Sequence, residues 1–396
     1  MTSNKKTEEK ILYISFNQDS SFISIGTEKG YKIYSTIQLN NNYERNLNGG
    51  IGIIEMLYES NILALIGGGK KPKFEKNKLI IWNDENLEKI SELKFLSNII
   101  NVKLKKDKIF IVLISKIYIF NFQTYQIIDI IETSENKNGL IAISQNENIN
   151  IISFPINNNN NINNNNEIND NNNNDSINNN NDIKEKLKIK NYDKGKEIEI
   201  NISENTNISY ILINNNGILL FSSCEKGTII KIYRIIDGLN ILDFKRGSEK
   251  ANINFMCLDN LNFFFAATSE RGTIHIWSLK SCLKKYKEIE FKYNINYIND
   301  ENEIDENNNF NNLFNKNFID ELPDNKIPFF NFFGVNCEKS FFKIKLKENF
   351  FYKCAFINNN NNIFVVRNDG KYFYYIFNPK NDEFFLYETG LLNNVK

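Results

Sequence analysis

Histidine is nearly missing from this chain: His275 is the only one in 396 residues. The five cysteines (Cys224, Cys257, Cys282, Cys337 and Cys354) stand apart, without a Cys-x-x-Cys pair. A zinc site built on imidazole and thiolate therefore has no ligand set, and a Ser-His-Asp relay has no evident partners. An odd number of scattered cysteines points to free thiols in a reducing compartment. Net charge is absent too, with 48 Lys+Arg against 48 Asp+Glu. No global field favours nucleic acid, so any anion site has to be local. No apolar run approaches the ~20 residues of a membrane span, and the polar start Met1–Lys6 lacks the apolar stretch of a secretory signal. A cytosolic protein with at most peripheral membrane contact is expected. Sustained helical periodicity is missing as well. No catalytic constellation emerges, and the chain is not read as an enzyme.

What the chain does have is short apolar stretches in a strand rhythm. It is 41% hydrophobic and 13% aromatic, with 32 Phe and 18 Tyr, and aromatic residues favour strands. Ile11–Phe16, Phe22–Ile25 and Tyr31–Tyr34, separated by polar and glycine turns, form one antiparallel meander. The pattern returns from Ile53, Ile99, Leu140, Ile208, Ile253 and Phe350, which makes seven units. Gly227 and Gly272 hold equivalent places in adjacent units, 45 positions apart, within the ~40–45 residues of a propeller blade. The chain is read as an all-β, WD-repeat-like, seven-bladed β-propeller spanning residues 1–396. The fourth strands are less plain in sequence, and the latch of the ring is not readable.

Two stretches interrupt the rhythm. Residues 157–182 are nearly all Asn and read as a disordered insertion in the fourth unit. Residues 281–340, between the sixth and seventh units, open basic, turn acidic and end in Ile327-Pro328-Phe329-Phe330-Asn331-Phe332-Phe333. Long loops inside compact domains are commonly functional, and exposed aromatic clusters mark interaction sites.

The most informative stretch is Phe244-Lys245-Arg246-Gly247. Alternation along an extended backbone sends Lys245 and Arg246 to opposite sides, each toward its own pocket, and Gly247 is expected to permit a sharp turn. Related phrases flank the pair: Ser223–Tyr233, with Lys226 and Thr228, and Ser269–Trp277, with Arg271, Thr273 and His275. Cations with hydroxyls are the usual phosphate-binding kit. Gly67-Gly68-Gly69-Lys70-Lys71, by contrast, lacks the spacing, the following Ser/Thr and the helix of a phosphate loop.

These residues resemble the PROPPIN family, the phosphoinositide-binding β-propellers of autophagy, in its WIPI-like subgroup. Phe244-Lys245-Arg246-Gly247 is similar to the family's Phe/Leu-Arg-Arg-Gly motif, with Lys for the first Arg. Ile54–Tyr58, Leu63–Lys73, Ile80–Asp84, Ser248–Asn252 and Tyr375–Pro379 resemble the family text closely. The resemblance implies two headgroup pockets for phosphatidylinositol 3-phosphate and 3,5-bisphosphate on the rim, and a long loop of the sixth blade that dips into the bilayer. It assigns Arg246, Thr268, Ser269, Arg271, Thr273 and His275 to the second pocket. The first would hold Lys245, Lys226, Thr228 and Ser223, weakened by Glu204 where the family has His and Cys224 where it has Ser. Phe329, Phe330, Phe332 and Phe333 would insert in the membrane.

The implied partners are those lipids and lipid-transfer or conjugation proteins of autophagy, with no nucleic acid, metal or cofactor. The implied location is a preautophagosomal, endosomal or vacuolar membrane. The Asn, Lys and Ile usage resembles that of apicomplexan chains, which adds the apicoplast to that list. The alternative is a WD-repeat-like protein scaffold without lipid binding.

Overall fold

The computed structural model describes residues 9–39, 42–157, 185–202, 206–284, 329–332, 335–357, 362–378 and 383–392. The Asn-rich run beyond residue 157 and most of the 281–340 stretch lie outside them. Seven sheets follow one another along the chain, each with a core of antiparallel strands. Blade 1 holds β1 (Ile11–Phe16), β2 (Phe22–Thr27), β3 (Gly30–Ser35) and β4 (Asn42–Asn46). Blade 2 holds β5 (Ile51–Met56), β6 (Ile62–Gly67), β7 (Lys78–Asn83) and β8 (Glu88–Lys94), and blade 3 holds β9 (Asn101–Lys105), β10 (Lys108–Val112), β11 (Lys116–Asn121) and β12 (Ile127–Glu132). Blade 4 holds β13 (Ala142–Ile143), β14 (Ile151–Asn157), β15 (Glu185–Asn191) and β16 (Lys196–Asn201). Blade 5 begins with β17 (Ile208–Ile213), β18 (Leu219–Cys224), β19 (Ile229–Arg234) and β20 (Asn240–Lys245), and blade 6 with β21 (Ile253–Leu258), β22 (Phe264–Ser269) and β23 (Thr273–Ser278).

The three inner strands of every blade fall where the apolar rhythm predicts them. Each is packed by neighbouring blades, so strands such as β6 and β10 are apolar almost continuously, while β9 and β15 alternate. Outer strands are solvated and carry little contrast. In β8 every residue is exposed or half-buried.

The insertion after β23 returns as β24 (Phe329–Phe332), β25 (Val335–Lys339) and β26 (Phe342–Lys345). Strand β25 pairs in parallel with β20, with Phe244 opposite Glu338 and Lys245 opposite Lys339. Strand β24 then pairs with β25, so the sheet of blade 5 has six strands. The chain next crosses to blade 6, where β26 becomes the outer strand against β23. Blade 7 holds β27 (Tyr352–Ile357), β28 (Asn362–Arg367), β29 (Lys371–Asn378) and β30 (Glu383–Leu391).

One apolar cluster fills each of the seven clefts between blades, including the one between blades 7 and 1. Among the described residues no strand is shared between the ends of the chain: blades 1 and 7 are each built from consecutive segments. Side chains latch the ring. Phe16 meets Phe364 edge to face at 6.3 Å, and the Lys353 ammonium donates to the Ile14 carbonyl at 2.6 Å. Among the described residues no helix is long and apolar enough to cross a membrane.

Candidate functional site

The alternation across the two cations holds. Phe244 is buried and stacks on Trp277 of blade 6 at 4.9 Å, with ring planes 5° apart. Lys245 is exposed, and Arg246 returns to the Phe244 side with 8% of its surface accessible. Arg246 therefore faces the cleft between blades 5 and 6, and Lys245 faces away from it. The Arg246 guanidinium donates from Nε to the Gly227 carbonyl at 2.7 Å and from Nη2 to the Glu249 carbonyl. Its backbone N–H donates to the Thr228 carbonyl at 2.9 Å. Burial, and then the nearby Arg271 charge, push the Arg246 pKa below the ordinary guanidinium value. The two arginines thus crowd one place, and the Glu249 carboxylate pairs with Arg271 there.

Blade 6 supplies the facing wall. In β22 and β23, residues on the side of Phe265, Ala267 and Trp277 look toward blade 5, and Ser269, Thr273 and His275 share that side by parity. The Ser269 and Thr273 hydroxyls are buried 2.8 Å apart. His275 is 3% exposed and stacks on Trp277. Its Nδ1 lies 3.0 Å from the Ser340 hydroxyl, and its Nε2 is buried with no hydrogen-bond partner among the described residues. Burial, then the charges of Lys343 and Arg246, push His275 down to about 3. The imidazole is neutral at physiological pH.

Two sequence assignments, Thr268 and Ser223, land elsewhere. Thr268 has the opposite parity, facing blade 7, where its hydroxyl donates to the Tyr352 carbonyl at 2.8 Å. Ser223 lies on the same side as Phe221, is buried, and is bonded to the Ser209 hydroxyl at 2.8 Å. Cys224 belongs to the apolar cluster between blades 4 and 5. Lys226 is exposed and Thr228 half-buried, both in the turn between β18 and β19. Glu204 lies outside the described residues. Gly247 is not needed for its turn: its φ is not in the left-handed region, and a Cβ there would meet nothing within 4 Å.

Left-handed glycines do occur at the repeat positions. Gly227 has φ 56° and its hypothetical Cβ would lie 1.9 Å from the Ala251 carbonyl oxygen; Gly272 has φ 64°, with Lys347 O at 2.4 Å. Each turn is thereby pressed onto the connector leaving its blade. The aromatic run is also no plain loop. Phe329, Phe330 and Phe332 lie on β24, the outermost strand of blade 5, while Phe333 lies outside the described residues.

Sequence reading missed three contributors to the cleft: Ser340, Lys343 and Lys345. They follow a long insertion, and only pairing of β26 with β23 brings them to His275 and Thr273. Other places offer less. A cavity of about 170 Å3 between blades 3 and 4 lies at the opposite end of the blades, and Lys105 there already donates to the Ile149 carbonyl at 2.5 Å. Among the described residues no group of three or more His, Cys, Asp or Glu could hold a metal.

Fold and site together define a seven-bladed propeller with a buried arginine in one inter-blade cleft and an exposed lysine on the opposite face of the same blade. Comparison with known proteins gives the same class. The PROPPIN family model matches residues 11–177. Autophagy-related protein 18 of Yarrowia lipolytica is 30% identical over 288 residues, 71% of this chain and 69% of that protein. The protein of the same name from Scheffersomyces stipitis is also 30% identical, over 70% of this chain but only 52% of its own length. The chain thus spans about half the length of some of its curated relatives. Among solved structures, Hsv2 of Kluyveromyces marxianus superposes with a TM-score of 0.63 at 16% identity over 97% of this chain and 99% of that one. A complex of KlAtg21 with the coiled coil of AgAtg16 gives 0.66 at 20% identity, over 96% and 99%. The chain belongs to the PROPPIN family.

Proposed function

We propose that this propeller is a peripheral reader of 3-phosphorylated phosphoinositides, phosphatidylinositol 3-phosphate and 3,5-bisphosphate, on autophagy-type membranes. One observation carries the reading: in a chain with no net charge, Arg246 is buried in a cleft with Arg271, two hydroxyls and the unpartnered Nε2 of His275. Such a cleft offers a phosphate a charge-assisted donor, hydroxyl donors and a water-poor setting, each of which strengthens the interaction. Ser269, Thr273 and His275 line this second pocket. Lys245 on the opposite face, with Lys226 and Thr228 in the adjoining turn, belongs to a weaker first pocket, because lysine is a point charge without the bidentate fork of arginine.

In this reading the dibasic outer rim of blades 5 and 6 rests on the membrane. Phe329, Phe330 and Phe332, on the outermost strand of the blade 5 sheet, are assigned with Phe333, which lies outside the described residues, to apolar contact with the bilayer. Two weak headgroup contacts and an apolar one, held on one rigid body, raise each other's effective concentration. The remaining faces recruit partners. The Atg16 coiled coil bound by KlAtg21 makes an autophagy coiled-coil protein the first candidate to test.

The test is flotation with vesicles containing either phosphoinositide or neither, comparing wild type with Lys245→Ala. Wild type should float only with phosphoinositide. The single variant should weaken binding about fivefold, as expected for one basic group worth ~1 kcal/mol at an anionic surface. Failure of wild type to float would refute the lipid reading and favour the scaffold alternative.

A further inference from the structure

The outer strand of blade 6 brings two further cations to the Arg246 cleft. In the β23–β26 pairing, His275 stands opposite Lys343 and Thr273 opposite Lys345. Directly opposed residues of antiparallel strands project to the same face. Lys343 and Lys345 therefore share the side of His275, Thr273 and Trp277, which looks toward blade 5. Both lysines are exposed, and neither has an ion pair, hydrogen bond or ring contact among the described residues. Arg246 and Arg271, by contrast, are engaged with Gly227 and Glu249. Ser340, just upstream of β26, holds His275 by Nδ1 and leaves Nε2 buried and unpartnered between the arginine and lysine walls.

We propose that Lys343 and Lys345 form a second phosphate subsite in this cleft, making it selective for an inositol ring with two phosphates over a ring with one. The inference rests on the lipid-reading function above. Adjacent strands lie ~4.8 Å apart, so a single six-membered ring can reach both the inner subsite (Arg246, Ser269, Thr273) and the lysines one strand further out. A monophosphate is satisfied by the inner subsite, while a second phosphate, carrying about −1.5 to −2 charges at pH 7, finds the two free ammonium groups. The same chemistry could recognise a membrane headgroup or a soluble inositol phosphate.

The experiment compares wild type, Lys343→Gln/Lys345→Gln, and the control Lys194→Gln/Lys196→Gln, whose lysines are exposed at the opposite end of blade 4. Each is titrated with vesicles containing phosphatidylinositol 3-phosphate or 3,5-bisphosphate, and with soluble inositol 1,3,5-trisphosphate. The double variant should lose about tenfold or more on bisphosphate vesicles and on the soluble headgroup, from two groups of ~1 kcal/mol each. On monophosphate vesicles it should lose about threefold or less, and the control should change neither. Equal losses on both lipids, or a loss on vesicles without one on the soluble headgroup, would overturn the subsite in favour of general surface attraction. No loss on bisphosphate would also overturn it. If wild type binds none of the three, the lipid reading itself has failed, which is a separate result.

Discussion

Arg246 and Lys245 are neighbours in sequence but should respond to alanine in different ways. Arg246→Ala removes a buried, charge-assisted hydrogen bond to Gly227 at 2.7 Å and a half-buried one to Glu249. It leaves two carbonyls without their donor, in the turn that carries Gly227 and in the connector that follows β20. Hydrogen bonds to charged groups contribute about 1.5–3 kcal/mol each, and an unsatisfied buried acceptor costs ~1–3 kcal/mol. The desolvation of Arg246, visible in its lowered pKa, offsets part of that. A net loss of about 2–4 kcal/mol follows from these magnitudes. Lys245 is exposed and makes no such bond, so Lys245→Ala should stay within ~0.5 kcal/mol. Urea unfolding followed by tryptophan fluorescence reads the difference, since Trp277 stacks on Phe244 beside the site. The expected result is a lowered midpoint for Arg246→Ala and superimposable curves for Lys245→Ala and wild type. Coincidence of the Arg246→Ala curve with wild type would refute the reasoning. The consequence for function is practical. A double Lys245→Ala/Arg246→Ala variant that fails to float mixes lost headgroup contact with a loosened rim, whereas Lys245→Ala does not.

Two further predictions concern pH and the repeat glycines. Asp259 is buried, and desolvation raises its carboxyl to about 7 although it accepts the Phe264 N–H at 2.6 Å. The native state binds the extra proton between the unfolded value near 4 and 7, so this group lowers stability as pH rises through that window, with a slope of up to ~1.4 kcal/mol per unit. His275, held near 3, acts in the opposite sense: its unfolded form takes the proton first, and stability is lost as pH falls from about 6.5 toward 3. Asp259→Asn should therefore raise the urea midpoint at pH 8 and expose a steeper loss between pH 6.5 and 4.5; a pH profile unchanged by the substitution would contradict the Asp259 assignment. Gly227→Ala and Gly272→Ala should each destabilise by at least ~1–2 kcal/mol, the cost of a left-handed non-glycine residue, with more from the clash with the connector carbonyls. Gly247→Ala should be silent in the same assay, and a comparable loss there would show that its turn does need glycine.

The order of the blades and the split of the two cations were legible in sequence for the same physical reason. Inner strands such as β6 and β18 are buried on both faces and must be apolar, and a strand's side-chain period of two sends consecutive residues to opposite sides. Ile62–Gly67 and Leu219–Cys224 announce themselves in this way, and Lys245-Arg246 needs only the alternation. The turn glycines were legible because their backbone conformation excludes other residues. Tertiary structure alone decided the rest. Outer strands such as Glu88–Lys94 are solvated and look like loops in sequence. The strand period says which residues share a face but not which blade that face meets, so Thr268 was placed in the pocket although its hydroxyl bonds blade 7. The return of the chain after β23 set both the six-stranded sheet of blade 5 and the approach of Lys343 and Lys345 to His275. Those contacts join residues separated by a long insertion, and only the pairing of strands in three dimensions, which hydrophobic pattern does not encode across such a distance, brings them together.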